Sequence, residues 1–423
     1  MSSRAHRLGV IFLFIFTVAA FGCASFQPRP MDQVPFKERA QTQQEGKIRV
    51  TAAVLSEEES QEIFDVPLYK KGIQPIWLEI ENKKKVPLWF LPASVDRDYF
   101  SPLEVAFANH FGYSDTANKK MNRYFYERGM GMYIAPGEVR SGFVFSHLDE
   151  GTKTFNVEVL SADEDRTFTF FIPVPGLRVD HQEVDFETLY PKGEIVSHDE
   201  EGLRKALASL PCCVTSKDGK ENGDPLNIVV IGDGKDVYHA FIRAGWDETE
   251  TIYGASAIKT GISFIFGGRY RYSPVSGLYV YGRPQDIALQ KARETIHERN
   301  HLRLWLTPMT FEGKSVWIGQ ISRDIGVRFT TKTIVTHKID PDVDETRIFL
   351  VQDLLYSQGL AKVAHVKGVG AAPIAEPRGN LTGDPYFTDG LRAVMWVSSE
   401  PVSLEDFEWV DWEDPVQQLS TAK

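Results

Sequence analysis

Short runs in which apolar and polar residues alternate occupy most of the chain between Lys47 and Pro175. "IRVTAAVLS", "IQPIWLEIENK", "VPLWFLPASV", "VRSGFVFSHL", "KTFNVEVLS" and "RTFTFFIPV" are rich in β-branched and aromatic residues and are separated by turn formers. A period of two sends alternate side chains to opposite faces, so each run predicts a strand. Short strands at this spacing predict an immunoglobulin-like β-sandwich. One stretch, "TANKKMNRYFYERGMGMYI", breaks the rhythm and predicts a helix inserted between strands. His110 and His147 stand isolated, so the region reads as an adaptor or spacer without a catalytic constellation.

The pattern changes at "HDEEGLRKALASLPCCVTSKDGKENGDP", a helix followed by a charged, turn-rich loop that reads as a domain junction. Beyond it, "LNIVVIGDGKDVYHAFIRAGW" runs from a buried strand, Ile228 to Ile231, through a glycine turn into an amphipathic helix. Neither the P-loop spacing nor G-x-G-x-x-G is present, so this is read as a tight β–α turn and not a phosphate cradle. Further strands are predicted at "SGLYVYG", "HLRLWLT", "SVWIGQIS", "TKTIVTHKI" and "LRAVMWVSS", with helices at about Lys235–Ala244 and Glu345–Tyr356. Short connections favour antiparallel pairing, hence a mainly β, α+β layout with a largely antiparallel sheet. The expected organisation is a leader at 1–22, a flexible polar tether at 23–46, a β-sandwich at 47–195, an α+β domain at 196–400 and an acidic tail at 401–423.

One strand is unusual. In "RNHLRLWLT" Leu302, Leu304 and Leu306 lie on one face and His301, Arg303 and Trp305 on the other. A leucine face is ordinary core, whereas histidine and arginine beside tryptophan need partners. Downstream, "SRD" supplies Arg323 and Asp324, and "THKIDPDVDETR" supplies His337, Asp340, Asp342, Asp344 and Arg347; upstream, "YGRPQD" supplies Arg283 and Asp286.

The N-terminus changes the picture of where the protein works. Arg4 and Arg7 precede an uncharged apolar run from Leu8 that ends in "AFGC". This is the layout of an export signal. It resembles a bacterial lipoprotein signal, which implies lipidation at Cys23, with Ala24 after it pointing to the outer membrane facing the periplasm. Ala20 and Phe21 depart from the preferred residues. The competing reading is an uncleaved anchor, since Leu8 to Phe26 carries no charge and could just span a bilayer. The net charge of −11 over 423 residues speaks against an electrostatic nucleic-acid binder. Removing the leader takes away two arginines and no acid, so a lipid is needed to hold the mature chain on an anionic surface. Cys212 and Cys213 then remain. A bond between neighbours would close a strained ring, so packed free thiols beside Pro211 are the favoured reading and a vicinal disulfide the alternative.

"NIVVIGD…AFIRAGW", "SPVSGLYVYGRPQDIALQK", "RNHLRLWLT", "VWIGQISRDIG" and "THKIDPDVDETR" together resemble the LssY C-terminal-like domain family, over roughly Leu210 to Ser399. The resemblance implies an envelope setting. It brings no settled activity, and the phosphatase module that often precedes this domain is absent from the chain.

From the residues themselves, His301, Arg303, Asp324, His337 and Asp340 are catalytic candidates, with His337 and Asp340 as candidate ligands for a divalent metal. Arg283, Arg303 and Arg347 could grip a phosphate bidentately. The spacing matches no zinc signature, and Asp340 to Asp344 lacks the glycine and terminal glutamate of an EF-hand. Ser276 lacks the G-x-S-x-G context of a nucleophile. An architectural reading competes on equal terms: Asp342 or Asp344 can cap the helix near Glu345, Arg347 can pair with an aspartate across the turn, and a buried arginine–aspartate–histidine network can pin strands together. Two functions are therefore carried forward. One is a lipid-anchored envelope module that binds an anionic, phosphate-bearing ligand or a protein partner. The other is a metal-dependent hydrolase acting on phosphoesters or lipid head groups.

Overall fold

The structure, a computed structural model, describes residues 25–149, 151–175, 185–186, 188–249, 277–292, 299–328 and 336–415. The chain divides into two compact units, Met1–Gly176 and Leu177–Lys423. Among the described residues no helix is long and apolar enough to cross a membrane.

In the first unit β1 (Gln41–Glu45), β2 (Ile48–Val54) and α1 (Glu57–Phe64) are followed by β3 (Ile73–Asn82) and β4 (Leu88–Leu91). Two helices, α2 (Pro102–Ala108) and α3 (Asp115–Arg128), form a hairpin before β5 (Tyr133–Ile134), β6 (Val139–His147), β7 (Thr152–Leu160) and β8 (Asp165–Pro173). The strands form two antiparallel sheets, β1-β2-β3-β6 and β5-β4-β7-β8. Alternate residues of the two sheets, including Val50, Leu78, Phe90, Val157 and Phe168, share one core. Trp77, Phe143 and Phe145, on the opposite parity of β3 and β6, pack against Phe64, Val105 and Phe125 of the helices. The first sheet is thus covered on both faces. This explains why β3 is buried almost throughout instead of alternating. Each short helix begins at a serine: Ser56 and Ser101 close capping boxes with Glu59 and Glu104, and Ser114 caps α3.

The second unit contains β9 (Val196–His198), α4 (Glu200–Ser209), β10 (Cys213–Thr215), β11 (Asn222–Pro225), β12 (Ile228–Ile231) and α5 (Gly234–Arg243). It continues through β13 (Asp247–Glu248), β14 (Tyr279–Val280), β15 (Arg283–Pro284), β16 (Ile287–Ala292), β17 (Arg299–Phe311), β18 (Lys314–Arg328) and β19 (Thr336–Ile339). After α6 (Val343–Tyr356) come β20 (Leu360–Lys367), β21 (Arg378–Gly379), β22 (Pro385–Tyr386), β23 (Leu391–Val397) and β24 (Glu408–Trp409). The main sheet has the order β13-β16-β17-β18-β12-β23-β20-β24, largely antiparallel, with the pairs β12–β23 and β20–β24 parallel. One face carries α5 and α6 through Val237, Phe241, Leu350 and Leu354, which meet Leu302, Leu304 and Ile321. On the other face, α4 covers β12, β20 and β23. A small sheet, β11-β10-β14-β15, covers Trp305 and Ile318. Gly319, opposite Leu304, is required by crowding: a Cβ there would lie 2.6 Å from the Leu304 side chain.

Four expectations are corrected. Residues 26–46 are not a free tether: Phe26, Val34 and Phe36 are buried, and β1 pairs with β2. Gln41 and Gln43, read as linker residues, donate to the carbonyls of Phe171 and Thr169. The break between units falls at 176–177 and not at 195–196, because Phe186 packs on Trp317 and Tyr190 donates to the Leu306 carbonyl, both in the second unit. The acidic tail is partly structure: β24 pairs with β20, and Trp412 packs on Trp396. Cys212 and Cys213 are joined by a disulfide and are not free thiols. Cys212 precedes β10, so it is not bound to the alternation that would turn the two sulfurs apart.

Candidate functional site

The polar face of β17 becomes a buried layer. In register, Arg303 lies opposite Gln320 on β18 and Ala288 on β16, and His301 lies opposite Ser322 and Gln290. These positions share one side of the sheet by parity. His301, Arg303 and Asp324 are 6 %, 7 % and 3 % exposed. The expected convergence of His301 with Asp324 is present: Nε2 of His301 lies 2.6 Å from Oδ2 of Asp324. Arg299, two residues before His301, brings its Nε to 3.6 Å from the same oxygen and donates through Nη1 to Gln290 Oε1 at 2.6 Å. Arg303 donates to Gln320 Oε1 at 2.9 Å.

Burial sets the charge states. It pushes the His301 pKa down to about 4, outweighing Asp324, so the imidazole is neutral near pH 7. Burial also lowers Arg299, to about 10, still cationic. Asp224 on β11 lies close enough to feel Arg303; burial raises its carboxyl, while Asn380 donates to it at 3.0 Å.

The other candidates lie elsewhere. Arg347 is 1 % exposed and forks onto Asp389 at 2.9 and 2.7 Å, while also donating to the Leu391 carbonyl. Asp344 sits 3.1 Å from the same guanidinium. This is an architectural clamp between α6 and the start of β23; its forked partner is Asp389, 42 residues away, and not an aspartate across the preceding turn. Arg283 pairs with Asp286 and donates to Tyr190 Oη at 3.0 Å and to the Leu306 carbonyl at 2.6 Å. Asp340 accepts from the Asp342 amide at 3.1 Å in a turn, and Asp342 caps α6 by accepting from Glu345. The backbone of His337 pairs with Val327 in β19, but its side chain, like Ser276 and Cys23, lies outside the described residues. Among the described residues no group of three His, Cys, Asp or Glu side chains could hold a metal ion. The glycine turn is a capped helix start: Asp233 and Asp236 close a capping box that Lys314 bridges.

Residues 205–391 match the family model described as the LssY C-terminus. This part of the chain is similar to that family. No curated protein matches the chain. The matched residues contain the polar layer around Arg299, His301, Arg303 and Asp324 and the Arg347 clamp with Asp389 and Leu391.

Sequence reading missed Arg299, Gln290 and Asp224. Arg299 was findable, since it lies two residues from His301 on the same strand face. Asp224 gave no local signal, because a small second sheet brings it to Arg303. It also missed Arg392 in "LRAVMWV", whose fully buried guanidinium donates to the carbonyls of Leu207, Leu210, Pro211, Leu226 and Gly368. A lone arginine in an otherwise apolar strand was the available clue. It satisfies the C-terminal carbonyls of α4, where positive charge is favoured.

Proposed function

We propose that the protein is a lipid-anchored protein of the bacterial envelope, attached through Cys23 on the periplasmic face of the outer membrane. Its LssY C-terminus domain serves as a binding module for an anionic, phosphate-bearing ligand or an envelope partner carrying such a group. The observation that carries the reading is the pair of guanidiniums, Arg299 and Arg303, set four residues apart on one face, on either side of His301, with glutamines beside them. Planar guanidinium forks suit phosphate and carboxylate, and low local dielectric strengthens each such contact.

His301 supports binding over hydrolysis. Burial pushes its pKa down to about 4, which leaves it a weak proton acceptor near neutrality. The hydrolase reading is tested with p-nitrophenyl phosphate in the presence of magnesium, manganese or zinc. The binding module should show no turnover above that of His301→Gln; turnover that vanishes in His301→Gln and Asp324→Asn would establish an enzyme. The anchor is tested separately: Cys23→Ala should accumulate as unprocessed precursor, and normal processing of that variant would refute lipidation.

A further inference from the structure

The first unit displays apolar side chains where a soluble surface would be polar. Leu103 and Phe107 lie one turn apart on α2, Phe111 stands at the tip of the α2–α3 loop, and Tyr126 lies on α3. Phe111 is 99 % exposed, Phe107 75 % and Tyr126 69 %. The hairpin beneath is firmly built and does not need them. Val105, Met121 and Phe125 fill its core, and His110 meets Asn122 at 2.8 Å to tie the two helices. A clustered apolar surface on an ordered support marks a contact site.

The chain's own connectivity says what covers it. Phe26 is buried against this hairpin, with its ring 5.5 Å from that of Tyr124 and 6.5 Å from that of Tyr113, and Lys120 donates to its carbonyl at 2.8 Å. It lies three positions after Cys23, a reach of at most about 10 Å of extended chain. An anchor at Cys23, as proposed above, would therefore enter the bilayer beside this hairpin. Lys119, Lys120 and Arg123 are exposed on α3, a local basic surface in a chain of net charge −11. Aromatic side chains flanked by basic ones suit the boundary between head groups and acyl chains.

We infer that the α2–α3 hairpin is a membrane-docking surface, with Phe107 and Phe111 inserted into the leaflet that holds the N-terminal anchor. The inference rests on the anchor reading for its occupant. Docking supplies the second attachment that a single anchoring element needs to orient the protein, since one anchor alone leaves the body free to swing.

The test uses the full chain in vesicles of phosphatidylethanolamine and phosphatidylglycerol, carrying an environment-sensitive fluorophore on Phe111→Cys. Ala162→Cys, in the exposed turn between β7 and β8, is the control. Flotation reports attachment, and quenching by nitroxide-labelled acyl chains reports docking. The expected result is flotation, a blue-shifted emission and loss of most of the Phe111-site fluorescence, with the control unchanged. Flotation with an unquenched hairpin label overturns the docking surface and leaves the anchor standing. Failure to float, with quenching of the hairpin label when vesicles are added, overturns the anchor and retains docking. Failure of both signals overturns both.

Discussion

The α2–α3 hairpin of the first unit and the polar layer and clamps of the second depart from the hydrophobic-inside rule in opposite ways. In the first the exception is on the surface, where Phe107 and Phe111 face solvent. In the second it is in the interior, where Arg299, His301, Arg303, Arg347 and Arg392 are buried. An exposed aromatic contributes little to folding, so it can change without unfolding the protein. A buried charge is coupled to the fold, and its partners suffer when it leaves. Stability measurements should therefore respond strongly in the second unit and barely in the hairpin.

The largest effect is expected at Arg347. Arg347→Met leaves Asp389 buried without its fork and should cost the second unit about 3–5 kcal/mol. Urea unfolding monitored at tryptophan would show it; a loss below about 1 kcal/mol would mean the clamp is dispensable. Arg392→Met strands carbonyls and no carboxylate, so a smaller loss of about 1–3 kcal/mol is expected by the same measurement.

Acid sharpens the comparison. The pKa of His301 is about 4 in the folded state and 6.5 as the ordinary value. As pH falls from 6.5 toward 4 the unfolded chain takes up the proton first, so this contribution is complete above pH 6.5 and lost on acidification. His365, lowered to about 4 by burial, acts in the same direction. Asp224, Asp286 and Asp344 act the other way: burial raises their carboxyls, so acid favours their folded form. His301→Gln should therefore lose less stability than the parent between pH 6.5 and 4, measured by melting across that range. Parallel pH curves would contradict the buried, neutral imidazole. The smallest effect is expected from Phe107→Ser with Phe111→Ser, within about 0.5 kcal/mol of the parent per substitution. A collapse of the first unit would show that these rings hold the hairpin together.

Local periodicity carried most of the fold. The α3 helix, the strand runs and the helices after Gly234 and before Tyr356 were legible because burial follows a period of two or 3.6. The segment around Phe36 was not, because three scattered apolar residues in 3-10 turns have no period to read. His301 with Asp324 could be anticipated from strand parity and an antiparallel hairpin. Arg347 with Asp389 could be anticipated only as a generic pair, since its partner lies 42 residues away, beyond β20 and the long return to its antiparallel neighbour β23. Residues that converge through such long connections leave no spacing in the sequence.

The central claim is that the Arg299–Arg303 face binds an anion and does not serve architecture alone. Thermal melting of the full protein and of Arg303→Met, each with and without saturating inorganic phosphate, tests it most directly. At one hundred times Kd the bound anion should add about 2.7 kcal/mol to the second unit of the parent, raising its Tm. Arg303→Met should still melt cooperatively, at a lower temperature that phosphate does not move. A parent whose Tm ignores phosphate, beside a variant that fails to fold, would contradict the account and leave the polar layer as architecture.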